Sequence, residues 1–450
     1  MKVALINPKV LMASSTAPPF NLMYLASYVK DVADVKIIDE VAGQNVEKEL
    51  LSFQPDWVGI TVQTPCAYRA YEIAEFAKQN LDCKVVLGGH HVTAMPDEAI
   101  KYADHVVIGE GEIVSKRLIN GEINQPMIKG VPLMNLDEMF PLPWEMINFD
   151  FYVQTSLNQP DAPFPLVNRR TMSIITSRGC PYKCIFCVYS LRTTPVRFNS
   201  AERVCLEVNR LIEHHRINSI NFNDDEFLIN QKRLPEMCRH FKKIGLVWGC
   251  QARAMTITEK VAKMLSSSGC AHVGIGFESG NPRILNILKA GSATVENNIK
   301  AAQTLKKHGV AVIGGFIFGT PSETYEEMMD TVNFIVEQPL DSIYINSLTP
   351  YPASVLWSMV KDNLRDIDYS TLIPSSNPHD QAILCDTMSK DEFRKFLKDV
   401  AEISIFKRNL RLAKLYHHSW FRVFFKRPFY PYFLVRHPIT ALKIIRRIGR

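Results

Sequence analysis

Cys180, Cys184 and Cys187 stand at C-x3-C-x2-C spacing within TSRGCPYKCIFC, residues 176–187. Three thiolates this close, on a loop leaving the apolar run 172–176, can hold three irons of a [4Fe–4S] cluster. A cubane held wholly by protein takes four cysteines. No fourth lies nearby in the sequence, so one iron would stay open to a small molecule. Two plainer readings compete. Cysteine without a partner is often a core residue, but a loop carrying Arg178, Gly179, Pro181, Lys183 and Arg192 makes a poor core. A structural zinc asks for four closed ligands. Three thiols fit the cluster better than either.

Other polar groups follow apolar runs further along. Asn223-Asp224-Asp225-Glu226-Phe227 sets three carboxylates side by side. They repel one another, so a positive partner is expected, with a helix N-cap as the bland alternative. Arg253 ends Gln251-Ala252-Arg253 and can grip a carboxylate bidentately, or form an ordinary surface ion pair. Glu278 and Ser279 lie in Gly274–Gly280, and a carboxylate there can accept from two hydroxyls. Gly315 and Gly319 belong to Gly314–Glu323, and Thr349-Pro350-Tyr351-Pro352 makes a later turn. In the first third, Thr61–Pro65, Gly88–Thr93 and Gly109–Glu112 each follow an apolar run. Glycines such as Gly88 and Gly89 let backbone approach a large flat ligand. His90 and His91 contact that ligand or serve as a hydrogen-bonding surface pair.

These groups need strand ends to present them, and the patterning supplies such ends. With 450 residues, two to three domains are expected. In residues 1–140 five short apolar runs (3–6, 35–38, 58–62, 84–87, 105–108) alternate with helical patterns. That argues a parallel, doubly wound sheet with ligands at its carboxyl edge. Residues 141–169 carry several prolines and no period, and read as an ordered linker. In residues 170–370 six runs (172–176, 219–223, 247–251, 272–277, 310–317, 342–348) alternate with amphipathic helices, as in a barrel of β/α units. Residues 371–450 open with a capping pattern at Ser389–Glu392 and continue as helices.

The cysteine spacing, with Phe186 before the last cysteine, resembles the signature of the radical S-adenosylmethionine (SAM) superfamily, in which the open iron binds SAM. The flanking domains resemble its cobalamin-binding branch. The resemblance covers about residues 1–370 and implies a fold. This is an α/β chain with an N-terminal Rossmann-like cobalamin-binding domain, a partial (β/α)6 TIM-like radical SAM barrel, and a helical basic C-terminal region. It also implies site residues: Cys180, Cys184 and Cys187 on the cluster; Asp225, Glu226, Arg253, Glu278, Ser279, Gly315 and Gly319 around SAM; and Thr61, Gly88 and Gly89 toward cobalamin. Gly315-x-Ile317-x-Gly319 resembles the element whose backbone lies against adenine. Glu323 comes one place later than the family's usual glutamate and is expected to cap the next helix. One departure stands out. Cobalamin domains that replace the lower base carry D-x-H-x-x-G, whereas residues 39–44 here read DEVAGQ, with Val41 at the histidine place.

The activity implied is cleavage of SAM to a 5′-deoxyadenosyl radical, with methylcobalamin-dependent methylation of an unactivated carbon on a lipid-like or tetrapyrrole-like substrate. Ring formation or oxidation without methyl transfer, and a non-catalytic cobalamin sensor, are the alternatives. An external donor such as ferredoxin or flavodoxin is implied by the resemblance. The other seven cysteines show no second cluster spacing, which argues against a second cluster. No signal peptide or uncharged stretch of membrane-spanning length is read, which gives a cytoplasmic expectation. From Lys407 to Arg450 there are twelve Lys or Arg, no acidic residue, and interleaved aromatics. That composition favours peripheral contact with an anionic membrane over nucleic acid, with a packed helical cap as the structural alternative.

Overall fold

The structure, a computed structural model, describes residues 1–9, 17–139, 141–158, 169–192, 194–364, 367–415, 438–440 and 442, leaving aside the side chains of 154–158 and 408–415. Two compact units emerge. One combines Met1–Pro160, Asn168–Asp224 and Pro350–Ile373; the other takes Asp225–Thr349 and the described residues from Pro374 onward.

The first unit holds β1 (Lys2–Asn7), β2 (Asp34–Asp39), β3 (Trp57–Thr61), β4 (Lys84–Gly88), β5 (His105–Ile108) and β6 (Met127–Lys129). They form a parallel sheet in the order β2-β1-β3-β4-β5-β6. Val3 to Ile6 are all buried, as strands covered on both faces must be. The strand order reverses at β1, which opens a crevice beyond the carboxyl ends of β1 and β3. Five of the six strands coincide with the apolar runs. The sixth is three residues long with exposed ends, too short to leave a period in the sequence.

The stretch expected to be a linker is packed structure. It contains a helix, Phe149–Asn158, and Trp144 and Tyr152 are both fully buried. Trp144 Nε1 donates to Glu207 at 2.5 Å, and the Tyr152 hydroxyl donates to Asp39. Prolines hid this segment; two aromatic anchors order it. The same unit carries β7 (Thr171–Ile174), paired in parallel with β10 (Ser219–Phe222), and the antiparallel pair β8 (Ser177–Arg178) and β9 (Arg197–Phe198).

The second unit is built on β11 (Val247–Ala252), β12 (Cys270–Glu278), β13 (Ala311–Phe318) and β14 (Ser342–Ser347), parallel neighbours in that order. One face of this sheet buries Val273, Ile275, Phe277, Val312, Phe316 and Phe318. The helix Lys390–Leu415 packs on β14 and buries Phe393, Leu397, Val400, Ile403 and Phe406, a stripe at three- and four-residue spacing. Its start is the expected capping arrangement, with Ser389 and Glu392 exchanging backbone-to-side-chain bonds. Lys407, counted in the basic tail, turns inward instead. Its ammonium donates to the carbonyls of Ile335 and Gln338 (2.5 Å each) at the end of the helix Tyr325–Glu337. A cation at a helix carboxyl end satisfies orphan carbonyls and the macrodipole together. Most of the proposed membrane segment (416–437, 441 and 443–450) lies outside the described residues.

Candidate functional site

The cysteine loop leaves β8 and returns on β9, so Ser177 faces Phe198 and Arg178 faces Arg197 across its neck. Gly179, at φ +91°, turns the chain out of the strand into the loop, a conformation that favours glycine. Asp224 anchors the neck, accepting from Thr176 N and Oγ1 (3.0 Å each) and from the Ser177 hydroxyl. Inside the loop, Cys187 N donates to Cys184 O (3.0 Å) and Ser190 N to Cys187 O (2.9 Å). Leu356 N donates to Ile185 O, and Val355 N to Ser190 Oγ. Cys184 is buried, while Cys180 and Cys187 are half-buried. Tyr189 N donates to Cys187 Sγ at 3.4 Å, the kind of N–H···S contact that tunes cluster sulfur. Among the described residues no three His, Cys, Asp or Glu side chains are already gathered as a metal site. The fit to a cluster therefore rests on donor chemistry, three thiols on one doubly held turn.

In the same unit, the strand-end loops of the sheet are tied to specific partners. Thr61 Oγ1 accepts from Asn21 Nδ2 (2.5 Å). Gly89 has φ +107°, and a Cβ there would meet the Val62 carbonyl at 2.8 Å. Its glycine thus answers a close backbone approach between loops. Gly88 has open space where a side chain would be. The two histidines separate. His91 is fully buried, with Nδ1 3.3 Å from Thr64 Oγ1, its edge against Tyr369 and Nε2 3.5 Å from Glu98. It is packed inside the fold. His90 is exposed, and its Nδ1 accepts from Arg192 Nη2 at 2.9 Å. Asp39, the aspartate of the altered motif, accepts from Tyr152 and from Asn7 Nδ2 (2.9 Å).

The expected SAM residues, from Asp225 onward, belong to the second unit and divide. The three adjacent carboxylates differ in burial and in the hydrogen bonds they accept. Asp224 serves the loop neck. Asp225 is exposed. Glu226 is buried and accepts from Leu228 N (3.0 Å) and Arg253 N (2.8 Å), and burial pushes its carboxyl up to about 7. Arg253 itself donates to Ser292 O and Oγ at 3.0 and 2.8 Å. Glu278 sits at φ +61° and pairs with Lys289 at 2.7 Å. The fully buried Ser279 hydroxyl meets Thr331 Oγ1 at 3.0 Å and accepts from Asn281 N. Gly315 is in register with Gly276 on one side and the exposed Tyr344 on the other. A Cβ at Gly315 would find its nearest neighbour at 3.8 Å, so the fold does not demand glycine there. A flat shelf beside an aromatic ring suits a planar group. Gly319 differs: φ is +85°, and a Cβ would strike the Phe393 ring at 2.5 Å.

Glu323 does not cap the next helix. That helix is capped by Thr324 with Glu327. Glu323 instead folds back so that Oε2 accepts from Gly319 N (2.8 Å) and Thr320 N (2.9 Å), and burial pushes it up to about 7. Sequence reasoning did not link Lys289 to Glu278, Tyr344 to Gly315, or Arg192 to His90. Lys289 follows the helix Pro282–Leu288 with no local pattern linking it to Glu278. Tyr344 could have been found as the outward member of an alternating strand.

Comparison with known proteins gives the family. The radical SAM superfamily model matches residues 174–335, and the B12 binding domain model matches residues 9–119. An uncharacterized methyltransferase of Pyrococcus horikoshii is 36% identical, over 79% of this chain and 82% of that protein. Bacteriochlorophyllide d C-12(1)-methyltransferase of Chlorobaculum tepidum is 27% identical, over 82% of this chain and 80% of the relative. Among solved structures, the cobalamin-dependent SAM radical enzyme OxsB, with aqua-cobalamin and SAM bound, aligns over 98% of this chain and 72% of its own, with TM-score 0.71 and 17% identity.

Proposed function

Because this chain belongs to the radical SAM superfamily, in the branch that carries a B12 binding domain, we propose that it methylates an unactivated carbon of a hydrophobic, tetrapyrrole-like or lipid-like substrate. The fold is the doubly wound domain and radical SAM partial barrel anticipated above, and the cofactors are a [4Fe–4S] cluster, SAM and cobalamin. When bound, these supply a 5′-deoxyadenosyl radical and a transferable methyl group.

Cys180, Cys184 and Cys187 would hold the cluster, leaving one iron for SAM. Glu278, oriented by Lys289, would accept from the ribose hydroxyls. Gly315 and Tyr344 would flank adenine. Glu226 sets the Arg253 backbone, and through it that strand end. The protein's part is orientation and exclusion of water, so that the radical meets one carbon only. The observation that carries the reading is the cysteine trio, held at both its ends in a chain that also carries the B12-binding sheet. The methyl reading is supported by the Pyrococcus relative, and a tetrapyrrole-like acceptor by the Chlorobaculum one.

An external low-potential donor, a ferredoxin or flavodoxin, would reduce the cluster. Peripheral membrane contact through residues 407–450 would bring a lipid-phase substrate near, with Lys407 excluded from that surface. No described helix is long and apolar enough to cross a membrane.

The test is anaerobic reconstitution with iron, sulfide and hydroxocobalamin, followed by incubation with SAM, dithionite and tetrapyrrole or lipid extracts. Retained cluster and cobalamin, with 5′-deoxyadenosine and a methylated product, are expected. Deoxyadenosine with a dehydrogenated or cyclised product, and no methyl gain, would replace methyl transfer with oxidation. No deoxyadenosine from an intact cluster would overturn the reading.

A further inference from the structure

The cysteine loop is strapped to the first domain on both sides of the thiols, and both straps end on the loops at the carboxyl edge of the sheet. Two residues before Cys180, Arg178 donates to Glu112 at 2.5 Å and Glu110 at 3.1 Å, with its guanidinium over the Tyr24 ring at 4.8 Å. Across the neck, Arg197 also donates to Glu110, with Nη1 at 2.8 Å, and to the Leu133 carbonyl. Glu110 thus receives two arginines in a largely buried setting, the geometry in which removing one charge is felt most. Glu110 sits in the loop that follows β5, and Glu112 opens the next helix. Beyond Cys187, Arg192 lies over the Tyr189 ring at 4.7 Å and donates to His90, the first residue of the helix after β4. His90 meets Tyr189 edge-on at 5.8 Å.

A loop of three thiols needs neither strap for ligand count. What the straps add is a mechanical path. The β4 and β5 loops lie on the carboxyl edge of the sheet, the edge at which a doubly wound sheet receives its ligand, and the same loops fix the thiol loop fore and aft. We infer that Glu110 and His90 are positioning residues that couple the two cofactor sites, so that occupancy of the cobalamin crevice alters the cluster loop and cluster assembly alters cobalamin affinity. Coupling of binding equilibria is reciprocal: whatever factor one ligand imposes on the other is returned. A ligand alters the loop only through residues that touch both, and Glu110 and His90 are the strand-end residues that hold the loop. The inference rests on the cofactor assignment above and goes beyond it.

The test measures hydroxocobalamin binding by equilibrium dialysis to the full-length protein, with the cluster reconstituted and with the iron removed. The cluster's electron paramagnetic resonance is recorded with and without hydroxocobalamin. The unaltered protein is expected to show a ratio of dissociation constants of ~5 or more and a cobalamin-dependent change in line shape. In E110Q the ratio should fall toward one and the spectral change should disappear, while E110D keeps part of both. H90Q should lose part of the ratio with the fold intact, which guards against a folding defect in E110Q. Failure of the unaltered protein to hold cluster or cobalamin would sink the functional assignment and this inference with it. Retention of both with a ratio of one, or a ratio unchanged in E110Q and H90Q alike, would overturn the coupling alone.

Discussion

Glu278 Oε1 and Lys289 Nζ lie 2.7 Å apart, both almost wholly removed from water, and Glu278 holds its place with the backbone at φ +61°. The pair overhangs Gly276, where a Cβ would come within 2.3 Å of that carboxylate. Lys289 fixes which way Glu278 points, so the carboxylate is pre-oriented rather than free to find a partner. Breaking one half of a buried pair leaves an uncompensated charge, which typically destabilises by about 3 kcal/mol or more. K289M should therefore lower the melting temperature and weaken SAM binding. K289M combined with E278Q should recover most of the stability but not the SAM affinity. Thermal unfolding and equilibrium dialysis with SAM read the two effects separately.

Replacing Cys180, Cys184 or Cys187 singly with serine should reduce iron content to background after reconstitution and abolish 5′-deoxyadenosine, with little change in circular dichroism. Replacing Cys205 or Cys238, buried in helices of the two units, should leave iron content unchanged. Iron analysis and chromatography of the SAM products decide it.

Burial raises Glu323 from 4.5 to about 7. The folded state therefore holds this proton more tightly than the unfolded chain. The stability linked to it is full below pH 4.5 and is lost as pH rises through 7. E323Q, which keeps an acceptor for Gly319 N and Thr320 N, should flatten the fall in melting temperature between pH 5 and 8. The gain relative to the unaltered protein at pH 8 should be on the order of 2–3 kcal/mol. Glu226, shifted the same way, retains part of the slope.

Two glycines on β13 and just after it should respond oppositely to alanine. At Gly319, positive φ and the Phe393 ring both resist a Cβ, so G319A should destabilise by about 2–4 kcal/mol, partly relieved by F393L. At Gly315 there is room within the protein, so G315A should leave the melting temperature nearly unchanged. It should weaken SAM binding if the shelf beside Tyr344 receives adenine. Thermal scans and dialysis on the pair distinguish a glycine kept for the fold from one kept for a ligand.

The elements were legible where periodicity was long. Five runs in the first sheet and six in the barrel strands appear at their places, because buried parallel strands are unbroken apolar runs. The cysteine loop was legible because ligand spacing is local. What was not legible depends on contacts distant in sequence. Nothing near Pro143 announces that Trp144 seeks Glu207, or that Tyr152 reaches Asp39. Adjacent carboxylates looked like one charge cluster, yet chain direction sends Asp224 and Glu226 to different backbone amides. His90 and His91 are indistinguishable by type; a helical start turns one inward and leaves the other facing Arg192.

The first compact unit is assembled from three separate stretches of chain. Tyr369, more than two hundred residues away, donates to Glu98 at 2.9 Å and stacks on Tyr68. A gene cut near residue 140 would thus yield no autonomous cobalamin module. It would strip the sheet of Trp144, Tyr152 and Tyr369 and leave Glu110 without its arginines. Exchanging this domain between relatives would mean transplanting the bridge, the thiol loop and residues 350–373 as one block. The first unit behaves less like a module on a tether than like a single inheritance unit, whose three stretches have to diverge together.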